Sequence, residues 1–367
     1  MSDTSNLKPN NSALTQEERS QYHRHLILDQ IGEQGQLKLK QAKVLVIGAG
    51  GLGCPVLQYL TAAGVGTIGI IDGDKIDQSN LQRQILYTTD DIGKFKASSA
   101  SERLSTLNPF VKFEVFNIFL SKENAVTLFK QFDIIVDGTD NFPTRYLVND
   151  ACVLTNKPLI FGSIFKFQGQ VSVFNHDGSG TYRCLYPTPP AQGSIPNCSD
   201  VGVLGVLPGI IGSLQANETI KLITKIGEPL VNKLLYFDAL TLQQQILQFS
   251  KNPEINITAL EENYAFFCGE TDTTNMNSID ATTFLKDKSN YHLLDVRTEN
   301  EFEDENIGGL HIPLDELEER MGEIPNSKVL VVICATGRRS AKAIELLLQY
   351  NYPKTLLNLE GGIEAAF

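Results

Sequence analysis

The stretch AKVLVIGAGGLGCPVLQYLTAAGVGTIGIIDGD, residues 42–74, constrains the fold of this chain more than any other. An unbroken apolar run, Val44 to Ile47, meets a glycine-rich turn; a helical pattern follows, and a second apolar run ends at Asp72. Continuous rather than alternating apolarity suits parallel strands covered by helices on both faces, so the segment reads as a βαβ unit. Gly48, Gly50 and Gly53 set G-x-G-x-x-G between strand and helix. Glycines there let the backbone approach a phosphate, the helix N-terminus attracts it, and an acid closing the next strand can hold a ribose hydroxyl. The pattern indicates a nucleotide and leaves the reaction open.

The alternation continues through FDIIVDGTD and KPLIFGSI, while GQVSVFN and NKLLYFDALTLQQQILQF read as antiparallel additions, giving an α/β domain with a mixed sheet over residues 14–250. Ahead of it, LTQEERSQYHRHLI predicts a helix with Thr15 as N-cap and Glu18 three residues on. Residues 251–278 lack sustained periodicity and are rich in Asn, Thr and Glu, which marks a linker. Beyond it the strands YHLLDVR and VLVVICA and the amphipathic SAKAIELLLQY predict a second, small α/β domain over 279–367.

A net charge of −12 argues against a nucleic-acid surface. The apolar runs are far shorter than the roughly 20 residues that span a bilayer, and the N-terminal MSDTSNLKPNNSALTQEERS has no apolar signal core. The expectation is a cytoplasmic protein with no membrane partner, whose six scattered cysteines are reduced thiols.

The residues after Asp72 suit a triphosphate better than a nicotinamide, because Asn80, Arg83, Gln84 and Lys96 can grip and neutralise phosphates. Asp140 and Asn141 end another apolar strand, and strand carboxyl ends line the crevice of an open parallel sheet. Together GAGGLGCPV, IIDGDKIDQSNLQRQ, GKFKA and DGTDN closely resemble the MoeB and ThiF family, Rossmann-like relatives of ubiquitin-activating enzymes that adenylylate the C-terminal glycine of ubiquitin-like sulfur carriers. The resemblance implies that Gly48, Gly50, Gly53, Asp72 and Asp74 hold ATP at its ribose and phosphate turn. It implies that Asn80, Arg83 and Lys96 bind the phosphates, and that Asp140, with Asn141 beside it, supports Mg2+ and the reacting centre. YHRHLIL matches the family's N-terminal helix, whose arginine, here Arg24, reaches the ATP of the neighbouring subunit of a homodimer.

Members of that family commonly hold a structural zinc between two C-x-x-C pairs. Here the corresponding stretches read TYRC and AFFC, with Thr181 and Ala265 at the outer positions, so only Cys184 and Cys268 remain. Two thiolates do not make a closed tetrahedral site, and the expectation is that zinc is absent and that packing around Tyr182, Phe266 and Phe267 replaces it. Cys198 lies in PTPPAQGSIPNCSDVGVLGVLPGIIGS, a loop that the resemblance makes a crossing for the carrier tail and a candidate site of thioester or acyl-disulfide chemistry. Cys54 and Cys152 read as small buried apolar residues, and the histidines show no ligand spacing.

The order of elements after residue 279 resembles a rhodanese domain, most specifically in Cys334 after a strand, followed by Gly337, Arg339, Ser340 and a helix. Such a loop can turn successive N–H groups toward the sulfur of a thiolate or persulfide. Asp295 and Arg297 read as a structural ion pair beneath the loop. Ala335 stands where many rhodanese loops carry an arginine, and relatives generally continue past the position of Phe367.

The combined expectation is an activating enzyme fused to a sulfurtransferase, with Cys334, Cys198, Asp140 and Arg83 as its reacting or charge-stabilising residues. Its partners would be a carrier ending in Gly-Gly and a persulfide donor such as a cysteine desulfurase; molybdopterin, thiamine and tRNA thiolation pathways stay open. A nicotinamide-dependent oxidoreductase would explain the glycine turn but not Asn80, Arg83, Lys96 and Asp140. A non-catalytic carrier-binding scaffold would explain the missing cysteines.

Overall fold

The structure is a computed structural model that describes residues 13–190, 202–268, 277–335, 337–350 and 352–365. Its first sheet grows outward from β1 (Lys43–Ile47), which pairs in parallel with β2 (Thr67–Ile71) on one side and β4 (Ile134–Asp137) on the other. With β3 (Lys112–Phe116), β5 (Leu159–Phe165), β6 (Gln168–Phe174), β7 (Lys233–Asp238) and β8 (Gln244–Gln248), the order is β3-β2-β1-β4-β5-β6-β7-β8. The pairs from β3 through β5 are parallel, and β6, β7 and β8 add antiparallel to that edge.

The apolar continuity of β1 has a direct cause in the packing. Val44 and Val46 enter one core with Leu57, Leu60 and Ile70, whereas Leu45 and Ile47 enter another with Phe129, Phe132 and Tyr146 on the opposite face. Each of the four positions from Val44 to Ile47 therefore faces a core, and burying each such side chain contributes about 1.5–3 kcal/mol. From β1 the chain runs outward to β2 and β3, then crosses back to β4 on β1's other side, which opens a crevice at the carboxyl ends of β1 and β4.

The expected N-terminal helix forms as two, Gln16–Gln21 and His23–Leu26, with the Thr15–Glu18 capping box in place. The break falls at Tyr22, whose buried ring lies against Gly64; a Cβ there would sit 2.5 Å from the ring. Gly64 has φ +81°, so the close approach and the helix-ending conformation both require glycine.

The first compact unit extends to Cys268. The segment read as a linker over 251–278 is thus packed in its first part: Tyr264 and Cys268, one helical turn apart, join the core around Tyr146, Phe161 and Tyr182. One turn is too short to register as sequence periodicity, which is why these residues look irregular. In the second unit, β9 (Ser278–Ile279), β10 (Tyr291–Asp295), β11 (Leu310–His311), β12 (Val329–Ile333) and β13 (Leu356–Leu359) form an all-parallel sheet of order β11-β10-β12-β13-β9. Val332 and Leu330 face one core with Ile344 and Leu347, and Val331 and Ile333 the other with Phe284. Among the described residues, no helix is long and apolar enough to cross a membrane.

Candidate active sites

The glycine turn after β1 is shaped by backbone contact. Gly48 has φ +86°, and a Cβ on it would meet the Gly138 carbonyl after β4 at 3.0 Å. A Cβ on Gly53 would fall 1.9 Å from the Gly48 carbonyl, so Gly53 is required by the way the helix Gly53–Ala63 enters against the turn. Gly50 meets only the Gln84 amide nitrogen, at 3.6 Å, and leaves room for a ligand. Leu52, the N-cap of that helix, supplies no side-chain cap, and the Cys54 N–H donates to the Gly50 carbonyl at 2.9 Å, closing the turn on the helix start.

Around this turn the fold gathers several of the residues singled out from sequence. The Asp72 carboxylate accepts the N–H of Ala49 and of Asp74, both at 2.8 Å, which binds the end of β2 to the turn. Burial pushes Asp72 up from the ordinary carboxylate range, and nearby Lys96 acts against it. Lys96 is 6% exposed, and its Nζ lies 2.8 Å from Asp74. A backbone pairing of residues 74–76 with 93–96 holds it there, through Lys96 N–H to the Asp74 carbonyl and Ile76 N–H to the Lys94 carbonyl. Asn80 shares a capping box with Asp77, and Arg83 donates from Nη1 to the Ser79 carbonyl at 3.0 Å on the following turn.

Asp91 anchors the loop that ends in Lys96, accepting from the Thr88 N–H at 3.0 Å, from Arg103 Nε at 2.9 Å and from Lys94 at 3.2 Å. Burial pushes its carboxyl up, but the Thr88 amide and the two cations outweigh this and bring it to about 2. A carboxyl depressed on folding stabilises the fold fully above its unfolded value near 4, and that contribution is lost as pH falls through about 2. Asp91→Asn should therefore cost about 2 kcal/mol near neutral pH and flatten the acid limb of stability between about pH 4 and 2. A denaturation series across that range measures both; an acid limb as steep as the parent's would exclude Asp91 as its source.

Asp140 is exposed at the end of β4, beside the Gly138 segment that packs on Gly48. Asn141 caps the helix Phe142–Thr155, its Oδ1 accepting the Thr144 N–H at 3.0 Å. Arg24 is exposed on the short helix His23–Leu26, and Cys198 lies outside the described residues. Beneath Asp140 lie two groups the sequence did not single out. Asp137 is fully buried, with Oδ1 accepting from Thr139 and Oδ2 unpartnered; burial drives it upward, with Arg145 opposing. Arg145, also buried, donates to the Thr139 carbonyl at 3.3 Å and faces the rings of Phe142 and Phe161. The signal for Asp137 was an acid ending an otherwise apolar strand.

Near the remaining cysteines, Arg183 is clamped by carboxylates and aromatic rings. Its guanidinium donates twice to Asp150 at 2.7 Å and once to Glu261 at 3.1 Å, Tyr264 donates to Asp150 at 2.7 Å, and the Phe267 ring lies 4.4 Å from its centre. Cys184 sits 3.4 Å from the Thr181 hydroxyl and accepts the Asn252 N–H. Cys268 is buried. Among the described residues no group of three or more potential ligands could hold a metal ion. The Ala265 and Phe266 side chains lie outside the described residues.

In the second unit Cys334 follows β12, 1% exposed. Its Sγ accepts the Gly337 N–H at 3.1 Å and lies 3.4 Å from the Ser340 hydroxyl, just ahead of the helix Arg338–Gln349. Gly337 has φ +90°, which lets the loop curl around the sulfur. Asn358 on β13 ties the loop at two points, accepting from Ser340 at 2.6 Å and donating to the Gly337 carbonyl at 3.0 Å. Arg339 makes a two-pronged ion pair with Glu301, which holds the Glu301 carboxyl down at about 2. Arg297 and Asp295 form the expected buried pair, at 2.7 Å.

A glycine turn at a sheet's switch point, with Asp72 and Lys96 beside it, defines a nucleotide-binding α/β protein; a second unit holds a cysteine whose sulfur accepts the Gly337 amide at a helix entry. The chain belongs to the ThiF family, whose model matches residues 22–258, and it carries a rhodanese-like domain matched over 280–366. It is 43% identical over 370 residues to the probable adenylyltransferase/sulfurtransferase MoeZ of Mycobacterium tuberculosis, the match covering 96% of this chain and 94% of that one. It is 49% identical over 266 residues to the sulfur carrier protein adenylyltransferase of Thermus thermophilus, covering 70% of this chain and 98% of that one. The crystal structure of E. coli MccB with MccA-N7isoASN shares the fold, with a TM-score of 0.59 at 24% identity over 68% of this chain and 76% of that one.

Proposed function

We propose that the N-terminal unit adenylylates the C-terminal glycine of a ubiquitin-like sulfur carrier ending in Gly-Gly, and that Cys334 then delivers persulfide sulfur to give a carrier thiocarboxylate. The observation that carries this reading is the joining, in one chain, of a nucleotide turn flanked by Asp72 and Lys96 to a cysteine whose sulfur accepts a loop amide at a helix entry. The relatives named as adenylyltransferase/sulfurtransferase and as sulfur carrier protein adenylyltransferase support it.

The carrier carboxylate is already ionised, so the first step needs position and charge stabilisation rather than a base. Its oxygen forms a bond to the α-phosphorus of ATP, the bond to pyrophosphate breaks, and an acyl-adenylate results. In this reading Asp72 holds the ribose, Lys96 and Arg83 offset the phosphate charge, Asn80 orients the phosphates, and Arg24 enters the site of the partner in a homodimer. Magnesium, when bound, neutralises phosphate oxygens; it is usually held by one or two carboxylates plus the phosphates themselves, so the exposed Asp140 fits it without a protein cage.

In the second step the outer sulfur of the Cys334 persulfide bonds to the activated carbonyl carbon and AMP leaves with the bonding pair. A thiol then attacks the Cys334 sulfur and releases the thiocarboxylate. Cys198 is the candidate for that thiol, or for a prior thioester with the carrier, and a cysteine desulfurase is the expected class of donor. Either route leaves a disulfide or mixed disulfide that an external thiol must reduce.

The test offers candidate carriers ending in Gly-Gly together with ATP, magnesium, a persulfide donor and a thiol, and weighs the carrier afterwards. Sulfur in place of one terminal oxygen is the expected product. Pyrophosphate release with no carrier gaining sulfur would remove the second half of the proposal, and no pyrophosphate release with any carrier would remove both.

A further inference from the structure

We propose that Phe119 is the platform on which the adenine ring of ATP stacks, an inference that rests on the nucleotide reading above. β3 ends at Phe116, whose carbonyl accepts the Asp72 N–H at 3.1 Å, so the segment after β3 emerges beside the acid proposed to hold the ribose. Within that segment Phe116 and Leu120 pack against the core, but Phe119 does not. Its side chain is 67% exposed, among the most exposed large apolar residues of the chain.

What the ring does touch is Gly73, the residue after Asp72. A Cβ on Gly73 would lie 2.8–2.9 Å from three carbons of the Phe119 ring, so the missing side chain is what allows the ring to lie there. The ring is also held on an ordered turn. Asn124 accepts the Ser121 N–H with Oδ1 and donates from Nδ2 to the Phe119 carbonyl, both at 2.9 Å. A phenyl group held by its own loop at the carboxyl edge of the sheet, with most of its surface open, has no packing role that explains it.

The base of a nucleotide projects from the same sugar that Asp72 would hold, which brings it within reach of the aromatic ring that lies on the next residue, Gly73. Every base has a π-face, so such a platform supplies affinity without choosing among bases. Phe119 is on this account a binding residue and takes no part in the bond changes at phosphorus.

The sequence contains no tryptophan, which makes Phe119→Trp a direct probe in the full chain. ATP and adenosine should each change the emission of the introduced indole, and inorganic tripolyphosphate should not. In parallel, Phe119→Ala should weaken ATP binding, measured by calorimetry, by roughly 5- to 150-fold while leaving tripolyphosphate binding within about two-fold. A merely structural role would weaken both ligands alike and lower the melting temperature. Phe119→Ala binding ATP as the parent does, or indole emission indifferent to ATP while pyrophosphate exchange proceeds, would overturn the platform and leave the ATP reading standing. Failure of the parent chain to bind ATP at all would overturn both.

Discussion

Cys334→Ala should abolish thiocarboxylate formation, a loss of at least about 10³-fold, while ATP–pyrophosphate exchange with a carrier stays within about two-fold of the parent. The loss is nearly complete because no other atom can take the place of the sulfur that bears the transferred sulfur. The sparing of exchange follows from the division of the chain, since Asp72, Lys96, Arg83 and Asp140 all belong to the unit that ends at Cys268. Alanine removes one buried atom and leaves the loop's other ties intact: Asn358 still accepts from Ser340 and donates to the Gly337 carbonyl, and Ile363 N–H still reaches the residue 334 carbonyl at 2.8 Å. Misfolding is therefore not the expected cause of the loss. Exchange reduced more than tenfold in Cys334→Ala would count against two separable half-reactions.

The second large effect is on stability. Arg183→Leu is expected to cost about 3–5 kcal/mol, because it strands Asp150, 1% exposed, as a buried carboxylate without its cation. Burial alone would lower the Arg183 pKa, and the hydrogen bonds and charge of Asp150 more than reverse that. The same guanidinium lies against Tyr146 and Phe267 and reaches Glu261, so it fastens residues 261–267 to the helix Phe142–Thr155. For a unit of this size the cost corresponds to roughly 6–20 °C in melting temperature. The double variant Arg183→Leu, Asp150→Leu should recover much of the loss, since a well-packed apolar pair can match a buried ion pair. No recovery would mean that geometry, not the stranded charge, set the cost. We further propose that this clamp does the work of the zinc implied by resemblance: metal analysis of the dialysed chain should return well under one zinc per molecule, and a strong chelator should leave the melting temperature unmoved. One tightly held zinc per chain would refute that.

Several elements were legible directly. The Thr15–Glu18 capping box forms with the two hydrogen bonds its spacing implies, 2.7 and 3.2 Å long. GQVSVFN and the strands after NKLLYF add antiparallel to the sheet as their patterns suggest, because period and strand length are local properties. Asp295 and Arg297 were close enough in sequence for their pairing to be read. Others were not legible. The seat of the Tyr22 ring depends on Gly64, and the packing of Tyr264 depends on Asp150, each a partner far along the chain. Asn141, grouped by resemblance with the nucleotide residues, has a local task as a helix cap that its position before Phe142 and Pro143 could have suggested.

The largely parallel α/β architecture, the glycine turn after β1 and the candidate cysteine of the second unit could all be read from local sequence. Apolar period, glycine spacing and turn chemistry are written within a few residues of one another, so a linear reading recovers them. That Lys96 rests on Asp74, that Arg183 is enclosed by Asp150, Tyr146 and Phe267, and that the Phe119 ring lies over Gly73 emerge from the folded chain alone. Those interactions depend on distances of a few ångström between residues remote in sequence, and burial, charge and ring contact take their strength from that proximity.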